Sequence, residues 1–321
     1  MYLHVRKAGA ILTRRAHRLA VVVDDQIVAD VSPYGLDAVI LWGTNATIPA
    51  LRLLLNNDVP LVLLDAAGRY KGRLEPPWSK NVHLRDRQRG AFRSQHLTVA
   101  RELVTAKIYN QRLLLDRWSR RGLTAVRPVL HRLRAALEAA ARAPDLGALR
   151  GIEGTAAREY FAAANLVLPK GFTRTRRPPA DVYNAALSYG YAVLRERCIA
   201  AAATVGFDIY VGIYHGRKYG RPALALDLME PYRPVIDRLV FGMVRRGEIG
   251  PKLERREDGG AYLTSEGAQV LLDRLATLME RPVDYLGRRR PLALTIFEQA
   301  RILAHSVEGR GAFLAFRMAR D

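Results

Sequence analysis

Residues 215–234, HGRKYGRPALALDLMEPYRP, combine one histidine, a basic loop that contains glycine and two carboxylates. His215 begins the stretch. Asp227 and Glu230 follow an apolar run at positions i and i+3, which places both acids on one face if the segment is helical. An acid among apolar residues is costly unless it is paired or bound to a metal. Carboxylate oxygens with one imidazole suit Mg²⁺ or Mn²⁺, the ions that assist phosphodiester chemistry.

The same residues also have ordinary structural interpretations, which the sequence leaves open. Asp227 and Glu230 could instead form salt bridges to Arg221 and Arg233. A lone histidine such as His215 is more often a hydrogen-bonded residue than a metal ligand. The spacing of His215 and Glu230 is therefore weak evidence for a metal site when it is taken alone.

Glu153, in the segment RGIEGTAAREYF, is the third candidate ligand. We expect its helix to begin near Gly151. The small residues after Glu153 would let another chain segment or a DNA backbone come close. The alternative is an acid placed near a helix N-terminus because the helix dipole favours it there.

The net charge of the chain points to a polyanionic partner. Its 321 residues include 51 Lys and Arg against 31 Asp and Glu, for a formal net charge of +20, and only seven of the basic residues are lysine. The planar guanidinium group matches phosphate oxygens well, so we expect the partner to be nucleic acid. A general bias toward arginine is the alternative explanation.

Cysteine usage and hydropathy exclude several classes of protein. The only cysteine, Cys198, lies in the apolar run RERCIAAAA, so no intramolecular disulfide or cysteine-based zinc cluster can form. We expect a buried, inert thiol and a cytoplasmic protein. Basic residues interrupt each apolar run of the first 17 residues, unlike in a secretory signal. No stretch has the ~18 consecutive apolar residues of a membrane span, so we expect no membrane partner.

The order of the elements predicts an α+β fold in two parts. Residues 1–75 contain short apolar runs between turn signals, typical of a β-sheet domain, with one helix at 45–57. Residues 76–85 include paired prolines and suggest a linker. Residues 86–321 have mainly helical periodicity, which predicts a larger all-helical catalytic domain. One hairpin, turning at Asp258, and a helix capped by Ser265 are expected within it.

Segments from most of the chain resemble one known family. The motifs GIEGTAAREYF, HGRKYGRPALALDLMEPYRP and VYNAALSYGYAVL are similar to those of the CRISPR-associated spacer-acquisition endonuclease/integrase, the first of the numbered Cas proteins. The segments VARELVTAKIYNQRLLL and NATIPALRLLLNNDVPLVLLDAAGRYKGRL also look like that family. The glutamate motif and the GRPALALDLMEPYRP motif are specific in combination, whereas the helix patterns alone are not.

The resemblance implies a catalytic divalent-metal site made by a glutamate, a histidine and a second acid. By motif match these are Glu153, His215 and Glu230, binding Mg²⁺ or Mn²⁺, with Asp227 in an accessory role. The resemblance also implies a homodimer formed through the β domain. A small dimeric second Cas protein would complete a complex that inserts prespacer DNA into the CRISPR array by transesterification.

Basic residues beside the metal-site motif are the candidates for contacts with double-stranded or branched DNA. These candidates are Arg217, Lys218, Arg221 and Arg233. Tyr189 or Tyr191 could also position DNA, although SYGY could simply pack an apolar helix. Two other functions remain open at this point. One is a non-catalytic, basic DNA-binding scaffold, and the other is a structure-specific nuclease of DNA repair.

Overall fold

Two four-stranded sheets form the N-terminal part of the chain. The computed structural model describes residues 2–66, 70–76, 82–94, 96–169, 172–175, 178–216, 218–257 and 259–320. The first sheet has the order β1 (Tyr2–Val5), β5 (Ala38–Trp42), β7 (Leu61–Leu64) and β8 (Tyr70–Leu74). The second has the order β4 (Gln26–Val31), β3 (Arg18–Val23), β2 (Ile11–Arg15) and β6 (Asn45–Ala46). In the first sheet β1, β5 and β7 are parallel, and β8 is antiparallel to β7.

Local sequence explains the connections between these strands. Asp24 and Asp25 have φ angles of 48° and 60°, which aspartate tolerates better than most residues, and they turn β3 back onto β4. Helix α1 (Ile48–Asn56) is capped by Thr47, whose hydroxyl accepts a hydrogen bond from the N–H of Ala50. The helix expected within 45–57 is thus present.

Strand β5 is buried on both faces, which accounts for its continuously apolar sequence AVILW. Val39 and Leu41 belong to a core shared with the second sheet and α1. Ile40 and Trp42 belong to the core of the helical part. Because successive side chains of a strand point to opposite faces, this one strand connects the two cores.

Helices make up most of the remaining chain. The helices are α2 (Val82–Ser94), α3 (His96–Arg120), α4 (Arg127–Ala141), α5 (Leu146–Ala164), α6 (Val182–Val205), α7 (Ala223–Met229), α8 (Arg233–Arg245), α9 (Ser265–Glu280) and α10 (Leu292–Val307). Short 3₁₀ turns lie at Thr124–Val126, Glu230–Tyr232 and Pro251–Leu253. Two antiparallel hairpins pair β9 (Glu254–Glu257) with β10 (Gly260–Leu263) and β11 (Pro282–Tyr285) with β12 (Arg288–Pro291). Within the described ranges, no helix combines the length and apolarity needed to cross a membrane.

An extended segment after α10 packs against the central helix α3. Buried Asn110 donates from Nδ2 to the carbonyl groups of Pro231 at 2.7 Å and Phe316 at 3.1 Å. Its Oδ1 accepts a hydrogen bond from the N–H of Met318 at 2.8 Å. The N–H of Phe316 donates to Gln299 on α10 at 2.8 Å. These bonds satisfy the backbone of a segment that has no regular secondary structure and yet lies in the core.

The α+β fold class is confirmed, with one refinement. The C-terminal part is mostly rather than entirely helical, because it contains the two hairpins. The hairpin expected around Asp258 is present, although Asp258 itself lies outside the described residues. Helix α2 begins at Val82, inside the segment 76–85 that we interpret as a linker. The domain limits at 75 and 86 remain predictions.

One predicted helix start and one predicted N-cap were wrong. Helix α5 begins at Leu146 rather than near Gly151, because the carboxylate of Asp145 accepts a hydrogen bond from the N–H of Ala148 at 2.8 Å. Helix α9 is capped by Thr264 and not by Ser265, since the Thr264 hydroxyl accepts from the N–H of Gly267.

Candidate active site

Glu153 lies inside α5, about two turns after the N-cap Asp145. The stabilising effect of the helix dipole on an acid is confined to the first turn, so it does not explain this glutamate. The side chain is 21% exposed and points toward Lys107 on α3. The position of Glu153 is therefore set by two packed helices and not by a flexible loop.

His215 is held by Asp227 through both its backbone and its ring. The carboxylate of Asp227 is fully buried and accepts hydrogen bonds from the N–H groups of Ile213, of Tyr214 at 3.0 Å and of His215 at 2.9 Å. Nδ1 of His215 lies 2.6 Å from Oδ1 of the same carboxylate. Because a carboxylate oxygen accepts, this contact favours a proton on Nδ1, and the Nε2 edge of the ring faces away from Asp227.

Glu230 lies where α7 gives way to the 3₁₀ turn, and it is 3% exposed. Its Oε1 accepts a hydrogen bond from Nε of Arg233 at 2.8 Å, and its Oε2 accepts one from Nζ of Lys107 at 2.6 Å. Burial alone would raise the pKa of Glu230, but Arg233, Lys107 and His215 outweigh it and hold the pKa well below the usual range. Glu230 is therefore ionised at neutral pH.

Asp227 and Glu230 thus serve different partners, although they are only three residues apart. Asp227 faces the loop that carries His215, whereas Glu230 faces α3 and α8. The salt bridge between Glu230 and Arg233, which the sequence left open as an alternative to a metal site, is present. It does not replace the proximity to His215, whose Nε2 lies 3.9 Å from Oε1 of Glu230.

Lys107 connects the two glutamates. Its Nζ lies within hydrogen-bonding distance of Oε1 of Glu153 and 2.6 Å from Oε2 of Glu230. Burial alone would lower the pKa of Lys107, but Glu230 and Glu153 raise it above its ordinary value. In the part of the chain that the structure describes, no three His, Cys, Asp or Glu side chains form a preassembled metal-binding group. The ammonium is instead the cation between the carboxylates.

The sequence analysis missed Lys107, although a signal for it was available. The residue lies between buried Val104 and Ile108 on the apolar stripe of α3. A lysine on such a stripe is almost never fully buried unless an anion pairs with it. A lysine at this position therefore predicts that acidic side chains elsewhere in the chain pair with it.

The three predicted ligands line one open cleft of about 1070 Å³. Basic side chains form much of its remaining wall, namely Arg174, Arg195, Lys218, Arg221 and Arg233. Three of the four predicted DNA contacts thus lie on the cleft, and the fourth, Arg217, lies outside the described residues. The arrangement presents two acids and an imidazole at the base of a positively charged surface.

Arg233 packs against a buried network of hydrogen-bonded side chains. The Arg233 guanidinium lies 4.8 Å from the ring centroid of Tyr191. The Tyr191 hydroxyl donates to Oδ1 of Asp237, and the Tyr160 hydroxyl donates to Oδ2 at 3.0 Å. Burial raises the pKa of Asp237 to about 6 even though both hydrogen bonds lower it. Tyr191 is thus held by packing, and Tyr189 also packs against the helical core.

Comparison with known proteins identifies the family. Residues 3–277 match the profile of a family described as CRISPR associated protein Cas1. The chain belongs to the Cas1 family. A Cas1 protein from Thermus thermophilus, named CRISPR-associated endonuclease Cas1 1, is 37% identical over 332 residues, with 100% of both chains aligned. A Moorella thermoacetica Cas1 protein of the same name is 35% identical and covers 93% of this chain and 92% of its own length.

A solved structure supports the same conclusion. A chain described as part of a partial Cas6-RT-Cas1–Cas2 complex has a TM-score of 0.81 and 28% identity, and the match covers 99% of this chain and 98% of that one. The family resemblance drawn from the sequence motifs is confirmed. The roles of individual side chains in this Cas1 protein still rest on motif match and geometry.

Proposed function

We propose that this Cas1 protein is a divalent-metal-dependent DNA endonuclease and integrase of CRISPR adaptation, acting in the cytoplasm in antiviral defence. The observation that carries the proposal is the convergence of Glu153, His215 and Glu230 from three separate segments on one basic cleft. The names of the two curated relatives, both CRISPR-associated endonucleases, support the class of reaction.

The side chains present fit Mg²⁺ or Mn²⁺. Glu153 and Glu230 already share one cation, the ammonium of Lys107, and Nε2 of His215 offers a lone pair 3.9 Å from Glu230. Two carboxylates suit either ion, and one imidazole is better tolerated by Mn²⁺. When bound there, the ion would stabilise negative charge on the phosphoryl oxygens.

Neighbouring side chains fix the orientation of the predicted ligands. Asp227 keeps the proton of His215 on Nδ1, so that Nε2 is available as a ligand. Arg233 fixes Oε1 of Glu230. Lys218 and Arg221 would bind DNA phosphates at the cleft wall. In this proposal, one group of side chains orients the metal ligands and another group binds the DNA.

The nucleophile in this proposal belongs to DNA. The 3′-hydroxyl of the incoming strand loses its proton as its oxygen forms a bond to phosphorus at the repeat boundary. The bond from phosphorus to the departing 3′-oxygen breaks, and that oxygen takes up a proton, so that one phosphodiester replaces another. With water in place of the 3′-hydroxyl, the same site nicks DNA. No side chain of the chain becomes covalently attached.

The proposed partners follow from the family and from the charge. Prespacer insertion requires double-stranded and branched DNA, to which a chain of net charge +20 is suited. The match to a chain from a Cas1–Cas2 complex supports assembly with a small dimeric second Cas protein. We also propose a homodimer through the N-terminal sheets.

Alanine variants test the proposal. Glu153→Ala and His215→Ala should each abolish Mn²⁺-dependent nicking and strand transfer into a plasmid that carries a repeat array, while salt-sensitive DNA binding persists. Glu159→Ala is the matched control, because Glu159 lies on the same helix but pairs with Arg132 at the surface. Activity that persists in both variants would contradict the site.

The alternatives give different results in the same assays. Wild-type protein that binds DNA without any chelator-sensitive cleavage would favour the non-catalytic scaffold. Cleavage of branched DNA with no insertion at the repeat would favour the repair nuclease.

A further inference from the structure

The ammonium of Lys107 lies between the two predicted acidic ligands. It contacts Oε1 of Glu153 and Oε2 of Glu230, so one oxygen of each predicted acidic ligand is already taken by a positive charge. The lysine is 6% exposed and its helix is packed on several sides. The contact lies at the floor of the cleft and is largely shielded from water, unlike a surface ion pair whose partners are both solvated.

Lys107 and a divalent cation would compete for the same two acids. Mg²⁺ binds carboxylate oxygens at about 2.0–2.1 Å, and Nζ of Lys107 is 2.6 Å from Oε2 of Glu230. A divalent ion placed between the two glutamates would be close to the ammonium, and their like charges would repel in a site of low solvent exposure. Binding of the ion therefore disfavours the position that the ammonium occupies here.

The lysine also has a reason to be present without the metal. A buried carboxylate beside a partly buried one, with no cation between them, would be destabilised by repulsion and by lost solvation. Arg233 compensates only Glu230, through Oε1. For Glu153, Lys107 is the cationic partner that the described structure shows. Lys107 lines the open cleft, so its displaced ammonium has solvent-filled volume to enter.

Taking the proposed function as its premise, we propose that Lys107 is the intrinsic cation of this metal site. Its ammonium holds Glu153 and Glu230 together when no divalent ion is bound, and the ion must displace it. Lys107 thereby stabilises the metal-free protein and sets the concentration of divalent ion that the site requires. It is a positioning residue, because it acts through the two glutamates.

Direct metal binding tests this role. Lys107→Met keeps most of the volume of the side chain and removes the charge. We expect it to bind Mn²⁺ at least about tenfold more tightly than the wild type, measured from free Mn²⁺ by electron paramagnetic resonance. Its metal-free form should melt at a lower temperature, and Mn²⁺ should raise that temperature by more than in the wild type. Lys252→Met, at an exposed lysine, is the control and should change neither value.

Unchanged or weaker Mn²⁺ binding by Lys107→Met would overturn the inference. If the wild type binds no Mn²⁺ at all, both the proposed function and this inference are contradicted. If Mn²⁺ binding by the wild type requires Glu153 and Glu230 but Lys107→Met has the same Mn²⁺ affinity, only the inference about Lys107 is contradicted.

A measurement on the unaltered protein covers the case in which Lys107→Met does not fold. Limited acetylation followed by mass spectrometry reports the reactivity of each lysine amine. Acetylation of Lys107 should be slow without metal, because the ammonium is paired and buried, and should rise severalfold when Mn²⁺ is added. The rate at Lys252 should stay constant. A Lys107 rate that does not respond to bound Mn²⁺ would refute displacement.

Discussion

Nδ1 of His215 and Oδ1 of Asp227 lie 2.6 Å apart, and the same carboxylate accepts hydrogen bonds from three consecutive backbone N–H groups that end at His215. One buried acid therefore fixes both the loop and the ring. The contact orients the ring so that Nε2 lies on the side of Glu230, 3.9 Å from its Oε1. In the proposed metal site, Asp227 would therefore control the orientation and tautomer of His215.

Replacing Asp227 by asparagine should remove that control. The amide retains the shape, but its NH₂ group favours an imidazole that accepts at Nδ1 and carries its proton on Nε2. We expect Asp227→Asn to lower Mn²⁺ affinity and strand transfer by about 10–100-fold with little change in DNA binding. Asp116→Asn, at a surface acid, is the control. Unaltered Mn²⁺ affinity in Asp227→Asn would contradict this role.

The buried carboxylate of Asp237 predicts a dependence of stability on pH. Burial raises its pKa to about 6, whereas an aspartate in the unfolded chain titrates near 3.9. The folded state therefore holds the proton more tightly, and this group makes the free energy of unfolding fall as the pH rises from about 4 to about 6. The loss is at most about 3 kcal/mol.

Asp237→Asn should eliminate this part of the pH dependence. The amide oxygen can accept from one of the two tyrosine hydroxyls and its NH₂ group can donate to the other. Relative to the wild type, the variant should gain stability in urea unfolding as the pH is raised from 4 to 7. Comparing the two proteins at each pH cancels the contribution of every other titrating group. Parallel curves would show that Asp237 is not the cause.

Lys218 and Arg221 should contribute to DNA binding through phosphate contacts on the cleft wall. The double variant Lys218→Ala/Arg221→Ala should weaken binding of all sequences alike. It should also reduce the slope of log affinity against log salt concentration by about 0.9 for each lost contact with duplex DNA. A double variant with the same loss of charge on other surfaces, Lys252→Ala/Arg134→Ala, should keep the slope. Equal slopes in the two would remove these residues from the DNA interface.

Gly212 should be required for the loop that carries His215. A Cβ atom there would lie 2.6 Å from the carbonyl oxygen of His215 and 2.6 Å from Cβ of Ala223. Neither the backbone nor a Cβ can move aside cheaply, so Gly212→Ala should cost about 1–3 kcal/mol of stability and displace the imidazole. Gly216→Ala is the matched control, because its Cβ would meet nothing within 4 Å. Chemical denaturation and strand-transfer assays on both variants measure the difference.

The fold could be predicted from sequence where residue type and local spacing carry the information, since the apolar runs indicated the strands. The combined motifs indicated Glu153, His215 and Glu230, which the fold brings to one cleft, and their role as metal ligands stays a prediction. The order of strands in the two sheets was not predictable, because it depends on which surfaces are buried together, as the doubly buried β5 illustrates. Such pairings are properties of the packed chain and not of any one segment.

The buried charged residues that were not predicted were missed for the same reason. Lys107 and Asp237 are buried charges on amphipathic helices, and each acquires its role only when another part of the chain supplies a partner. The start of α5 and the cap of α9 were wrong because an earlier residue, Asp145 in α5 and Thr264 in α9, supplies the cap. Local sequence narrows such choices to a few residues, and tertiary contacts then select one of them.

The segment that crosses Asn110 ties assembly of the cleft to the order of protein synthesis. Asn110 lies one turn after Lys107 on the same helix, and its amide is satisfied by Phe316 and Met318. While those residues are still inside the ribosome, the central helix lacks one of its packing surfaces and its buried amide lacks two of its partners. A nascent chain therefore cannot satisfy the buried amide of Asn110, or complete the packing around it, until residue 318 has emerged from the ribosome.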